Sequence, residues 1–152
     1  MQEAATYGQH VAATLELIED IFLLAGRYSL LDYAALDTLF PAALHGVPGS
    51  LSAARSIRAC SPGQFEYAKA PAAMIDKTRR IAEHCARFDV DIKAAALQFC
   101  QAPGVVAAVI AGARSSGEMA QNAALMNSPI PRALWASLKE AGLLPAHAPE
   151  PA

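Results

Sequence analysis

Two uninterrupted apolar runs constrain this chain most: residues 21–25 (IFLLA), closed by Gly26, and residues 105–110 (VVAAVI), closed by Gly112. Neither run alternates apolar with polar residues, so each reads as a strand buried on both faces, the kind that parallel sheets covered by helices use. Helical periodicity fills the sequence around them. Val11, Thr14, Leu15 and Ile18 share one face ahead of the first run. Asp32 stands at an N-cap position before Leu36, Leu39, Phe40, Ala43 and Leu44, and His45 and Gly46 close that pattern. Pro41 inside it either kinks the helix or restarts it.

Further along, Met74, Ile75, Thr78, Ile81, Ala82 and Cys85 form one helix face, opposite Asp76, Lys77, Arg79, Arg80, Glu83 and Arg87. A second helix over 92–101 is apolar nearly all round through Ala94, Ala95, Ala96, Leu97 and Phe99, and Pro103 and Gly104 break it. After the strand at 105–110, Ser115 with Glu118 three residues on is a capping box, and Met119, Ala123 and Met126 continue an apolar side. The last helix starts at Pro131, packs Leu134, Trp135 and Leu138 inward and stops at Gly142. Three prolines lie in the tail, so residues 145–152 are expected to fray. Strands alternating with helices predict an α/β fold with parallel strands. Two strands alone cannot cover so many apolar helices, and residues 47–71, rich in Pro, Gly and Ser and without a period, read as a loop too long for a compact domain.

Composition narrows the function. Of 152 residues 54% are hydrophobic and 17% charged, which excludes a disordered chain. Twelve basic residues against fourteen acidic ones, mixed along the sequence, give no field to attract nucleic acid or an anionic membrane. No apolar run approaches the roughly 20 residues of a membrane span, and residues 1–10 lack the basic start of a signal peptide. Cys60, Cys85 and Cys100 form no CxxC pair and have no His at zinc spacing, so neither a disulfide framework nor a metal site is indicated and the cytoplasm fits best. Cys85 and Cys100 lie on apolar helix faces, as packing thiols do, and Cys60 near Arg58 is the remaining thiol. His10, His45, His84 and His147 are scattered, and Trp135 is core. Tyr28, beyond the first strand, stands either at an active-site edge or as a structural tyrosine.

The segment with the most chemistry runs from Val105 to Asn122: buried strand, Gly-Ala-Arg-Ser turn, capped helix. Free amides at a helix N-terminus attract anions, Gly112 lets a phosphate approach the backbone, and Arg114 can add a charge-assisted bond. The same local pattern also describes an ordinary capped junction with a surface arginine. In a parallel barrel the anion reading gains, because phosphates there bind after the last strands.

Residues 22–37 (FLLAGRYSLLDYAALD) and residues 71–149, including AALQFCQAPGVVAAVIAGARSSGEMAQNAALMNSPIPRALWASLKEAGLL, resemble the C-terminal half of an aldo/keto reductase. Within that family they are most like the subgroup of D-threo-aldose 1-dehydrogenases, which includes L-fucose and pyridoxal dehydrogenases. The resemblance covers about two thirds of the chain, and the turn with Glu118 and Asn122 beyond it is its most specific part. It implies a helix-rich C-terminal portion of a (β/α)8 barrel, one incomplete domain over 1–152. It also implies NAD or NADP as cofactor and an aldose or aldehyde as substrate. Gly112, Ala113, Arg114 and Ser115 would then line the adenosine phosphates, with Glu118, Gln121 and Asn122 at the adenine ribose and base. The family usually has proline at the position of Ala111 and glutamate at that of Gln121. Glu118 can accept from ribose hydroxyls but repels a 2′-phosphate, which favours NAD.

The family's catalytic tetrad comes from the N-terminal half of the barrel, which nothing here resembles, so no catalytic residue is assigned. Between the matching stretches the family carries a Gly-Gly-Pro-Phe-Asn-Ser-Gly type motif where this chain has Ser52 to Cys60. Those residues can be encoded TCG GCG GCC CGT TCA ATT CGG GCA TGC, and the adjacent frame of that string reads Gly-Gly-Pro-Phe-Asn-Ser-Gly-Met. The segment 47–64 is therefore expected to be translated out of frame, and the coding DNA checks it. The alternative function is a non-catalytic helical interaction module, or a complementing half-barrel, that binds a protein partner or self-associates through exposed apolar faces.

Overall fold

The computed structural model describes residues 22–24, 28–41, 51–53, 64–65 and 68–151. Three short strands form a parallel sheet: β1 (Phe22–Leu23), β2 (Leu51–Ala53) and β5 (Val106–Val109), in the order β1-β2-β5. Phe22 lies opposite Leu51, Leu51 opposite Val106 and Ala53 opposite Val109. The extra residue on β5 is a bulge. Strands β3 (Gln64–Phe65) and β4 (Ala68–Lys69) make a separate antiparallel hairpin.

Both apolar runs thus contain strands, but they are not neighbours, because β2 lies between them. This corrects the reading of 47–71 as loop throughout. Leu51-Ser52-Ala53 is too short to show a period, and its extended form comes from backbone pairing on both edges, a non-local effect. Residues 54–63, which hold most of the expected out-of-frame segment and Cys60, lie outside the described residues, as does the helix expected at 11–18.

The single helix expected after Asp32 is broken. Asp32 Oδ1 accepts from the Ala34 amide at 3.2 Å, but the element it leads into is a 3-10 turn, Ala34–Leu36, and helical geometry resumes only at 39–41. Pro41 therefore falls in the first turn of a restarted helix, where its missing N–H costs nothing.

Four α-helices complete the described fold: α1 (Ala72–Arg87), α2 (Ile92–Gln101), α3 (Ser116–Met126) and α4 (Arg132–Glu140). In α1 burial is confined to Ile81 and Cys85, and Ile75, expected on the apolar face, is 48% exposed. Helix α2 starts at Asp91, whose carboxylate accepts from the Lys93 amide at 2.8 Å, and buries Ala94, Ala95, Leu97, Phe99 and Cys100. Helix α4 buries Leu134, Trp135 and Leu138 as its spacing predicts. Pro131 is its N-cap rather than its first helical residue. Its end is a Schellman motif: the Gly142 amide donates to Lys139 O, the Leu143 amide to Leu138 O, and Gly142 takes φ +66°. Helix α1 ends the same way with Asp89 at φ 55°.

Helix α2 packs against α1, α3 and β5, and α1 packs against α4. Tyr28 stacks on Phe99 at 4.9 Å, Phe99 stacks on Trp135 at 6.2 Å, and Phe40 meets Tyr28 edge-on at 4.9 Å, so an aromatic column runs through the core. Within 145–152, expected to fray, Ala148 is buried and Glu150 pairs with Lys139 at 2.7 Å, and the preceding Leu143 and Leu144 are buried as well. The prolines there stiffen a segment that packs, and burial of Ala148 helps to offset its ordering entropy. Among the described residues no helix is long and apolar enough to cross a membrane.

Candidate functional site

The segment after β5 assembles as the capping pattern demands. Ser115 is extended (φ −151°, ψ 162°), and its Oγ accepts from the Glu118 amide at 3.2 Å. In an ordinary capping box the glutamate would reach back to the cap residue's own amide. Here Glu118 reaches one residue further: its Oε2 accepts from the Arg114 amide at 2.6 Å, and its Oε1 accepts from Arg114 Nη2 at 3.2 Å. Asn122, one turn on, donates from Nδ2 to Gly112 O at 3.3 Å. Arg114, Ser115 and Glu118 are therefore one bonded group, and the bond from Asn122 to Gly112 closes the same turn from the next turn of the helix. Ala113 lies inside the turn, and Gln121 is exposed on α3 beside Asn122.

The group is open to solvent: Gly112, Ala113, Arg114 and Ser115 are exposed. The Arg114 amide first, then its guanidinium, holds the Glu118 carboxyl below its usual range. Because Arg114 is 84% exposed, the ion pair is weak and can be exchanged for a ligand. The chain itself satisfies the Glu118 and Met119 amides. The amides of Ser116 and Gly117 belong to the first turn, whose N–H groups have no intrahelical acceptor and lie at the positive end of the helix dipole.

The placement of this group is less expected. Met119, Ala123 and Met126 do not form a buried side, for no residue of α3 is buried and Met119 is 54% exposed. Polar bonds add to its packing on α2. Gln98 of α2 donates from Nε2 to Leu125 O at 2.9 Å and to Ser128 O at 2.8 Å. Sequence reasoning missed Gln98, whose only signal is a lone amide on an otherwise apolar helix.

The other candidates are structural. Tyr28 is buried, its hydroxyl has no hydrogen-bond partner among the described residues, and burial, then the nearby Cys100, raises its pKa well above the usual phenol range. It is a packing residue in the aromatic column. Burial pushes the Cys100 thiol up to about 12 and, with Asp91 adding to it, the Cys85 thiol up to about 11, so both are inert packing thiols. His84 Nδ1 lies 2.7 Å from Ser137 Oγ, tying α1 to α4, and His147 meets Asp37 at 3.0 Å on the surface. Lys77 sits 4.2 Å above the Tyr33 ring and donates to Leu31 O at 3.1 Å, while burial lowers its pKa.

With this geometry in view, comparison with known proteins gives two relatives. The chain is similar to two dehydrogenases. It is 35% identical over 133 residues to a D-threo-aldose 1-dehydrogenase of Pseudomonas sp, covering 83% of this chain and 40% of that protein. It is also 35% identical over 135 residues to a pyridoxal 4-dehydrogenase of Microbacterium luteolum, covering 82% of this chain and 38% of that protein. The chain thus spans about two fifths of the length of the curated relatives it matches. No family model matches the chain.

Proposed function

We propose that this chain is the C-terminal portion of an aldo/keto reductase-like (β/α)8 barrel whose 112–122 segment holds the adenosine end of NAD or NADP. The observation that carries the reading is the bonded trio of Arg114, Ser115 and Glu118, with Asn122 tied to Gly112 beside it, at the start of a helix that comes after a parallel strand. Its donors suit the ligand. The Ser116 and Gly117 amides and the Arg114 guanidinium fit a phosphate, with Gly112 and Ala113 leaving the approach open. Glu118 can exchange its bonds to Arg114 for ribose hydroxyls, with Gln121 and Asn122 beside it for the base, and its charge disfavours a 2′-phosphate.

When bound, a nicotinamide dinucleotide supplies the hydride chemistry for oxidising an aldose or, in reverse, reducing an aldehyde. This chain's part is to bind and orient. The proton transfer that such chemistry also needs has no candidate group in the matched segments, so the chain alone is expected to bind without turnover. Cytoplasmic residence belongs to the same reading and agrees with the free, buried Cys85 and Cys100. Titration calorimetry of the purified chain with NAD tests it, together with amide shifts. The expected result is heat with perturbations confined to 112–122; no heat and unmoved Arg114 and Glu118 signals would sink it.

A second reading, a half-barrel completed by a partner polypeptide or a second copy, is favoured by β5. Among the described residues β5 is an edge strand, and Ala107 and Ala108 at its bulge are both exposed, as are Ile110 and Met119. Parallel strands are normally covered on both faces, and an apolar edge without a charge is open to further pairing. A concentration-independent monomer in analytical ultracentrifugation, alone and with the product of an adjacent upstream gene, would exclude it.

A further inference from the structure

We infer that Gln98 is the positioning residue of the 112–122 segment, fixing where α3 begins by holding where it ends. The functional side of this inference rests on the cofactor reading above, whereas its structural side does not.

A helix is normally located by the apolar stripe it buries, and α3 buries none of its 11 residues. Of its apolar side chains only Leu125 and Met126 are even half-buried, so directional bonds to α2 carry much of that work. The last carbonyls of a helix lack full intrahelical pairing, and Leu125 O, which accepts from the Ser128 amide at 3.3 Å, has a second lone pair to offer. Gln98 Nε2 donates to Leu125 O and, past the helix end, to Ser128 O, so both amide hydrogens are used. The opposite amide orientation would set Oε1 against two carbonyl acceptors and is excluded on chemistry. Gln98 itself is immobile at its root, since Leu97 and Phe99 on either side of it are buried.

The lever is α3, about 16 Å long at 1.5 Å per residue. Releasing its C-terminal end lets the rod tilt, which strains the 3.3 Å bond from Asn122 to Gly112 and moves the turn that carries Arg114 and Ser115. A tilt of a few degrees suffices to misalign amides aimed at a bound phosphate.

Hydrogen exchange of the full chain tests this with three variants. Q98M keeps the shape and loses the donors; Q98K restores donors aimed at carbonyls on the negative end of the helix dipole. In Q98M the amides of 120–126 are expected to exchange roughly tenfold faster, with α2 and α4 unchanged, and NAD affinity is expected to fall roughly tenfold. Q98K is expected to recover both. Q98A serves the same comparison if Q98M does not fold. Unchanged exchange over 120–126 in the donor-free variant, equal acceleration throughout the chain, or failure of Q98K to rescue would each overturn the inference. Absence of NAD binding to the unaltered chain would remove the cofactor reading while the exchange data still decide the role of Gln98.

Discussion

Around Trp135, side chains from α1, α2, α4 and residues 143–148 meet in a core where Trp135, Phe99, Ile81, Leu134 and Leu138 are all almost fully buried. Beside it, α3 and its leading turn bury nothing and are held by Gln98 at one end and by Ser115, Glu118 and Asn122 at the other. The first region is stabilised by apolar area removed from water, the second by a handful of directional bonds worth about 1 kcal/mol each. Damage to the two regions should therefore read out differently. The region that carries the candidate chemistry is also the one able to open without unfolding the rest.

The largest effect separates them most cleanly. Trp135→Ala removes the fully buried end of the aromatic column and should destabilise the whole chain by about 3–5 kcal/mol, seen as a lower urea midpoint with all helices melting together. If α3 keeps its exchange protection while the rest melts, the two regions are independent domains and the contrast drawn between them is wrong.

Two cap lesions of similar local cost, about 1 kcal/mol each, sharpen the contrast. Gly142→Ala meets no neighbouring atom within 4 Å, so its cost is backbone strain at φ +66°, and it should lower the global midpoint because α4 carries the core. Ser115→Ala removes the acceptor for the Glu118 amide and should speed exchange in the first turns of α3 while leaving that midpoint almost unmoved. Equal midpoint shifts in the two variants would show α3 to be part of the cooperative unit.

The smallest effect is a titration. The Glu118 carboxyl is held below its ordinary range in the folded chain, so its contribution is present above the unfolded pKa and is lost as pH falls through the lower folded value. The amide signal of Arg114 should track that acidic transition, Glu118→Gln should abolish it, and overall stability should barely respond. A midpoint near or above that of a free glutamate would mean that the bond to Arg114 is not populated in solution.

Local periodicity foretold the packed region well. Leu134, Trp135 and Leu138, the stop at Gly142 and the burial of Ala94, Ala95, Leu97 and Phe99 in α2 are all dictated by spacing and caps alone. At the candidate site the cap was legible, since Ser115 and Glu118 stand at capping-box spacing, but the placement of the helix was not. Met119, Ala123 and Met126 have the spacing of a buried stripe, and nothing local reveals that, among the described residues, Met119 and Ala123 stay exposed and Met126 only half-buried. Likewise β2 exists through its pairing with β1 and β5, partners remote in sequence, so Leu51-Ser52-Ala53 shows no signal of its own. The tail misled because proline marks where helices stop, not whether the residues after them find a groove.

The packed tail bears on the order in which the chain can fold. Leu143, Leu144 and Ala148 share one core with Leu24 and Tyr28, contributed from the far side of the sequence. During synthesis those late residues leave the ribosome after everything they cover. Until then the aromatic column lies open on one side, and closing a loop of more than about 100 residues makes this the slow step. A nascent chain stalled before residue 143 would thus present an incomplete core to chaperones, however well α1 and α2 had already formed.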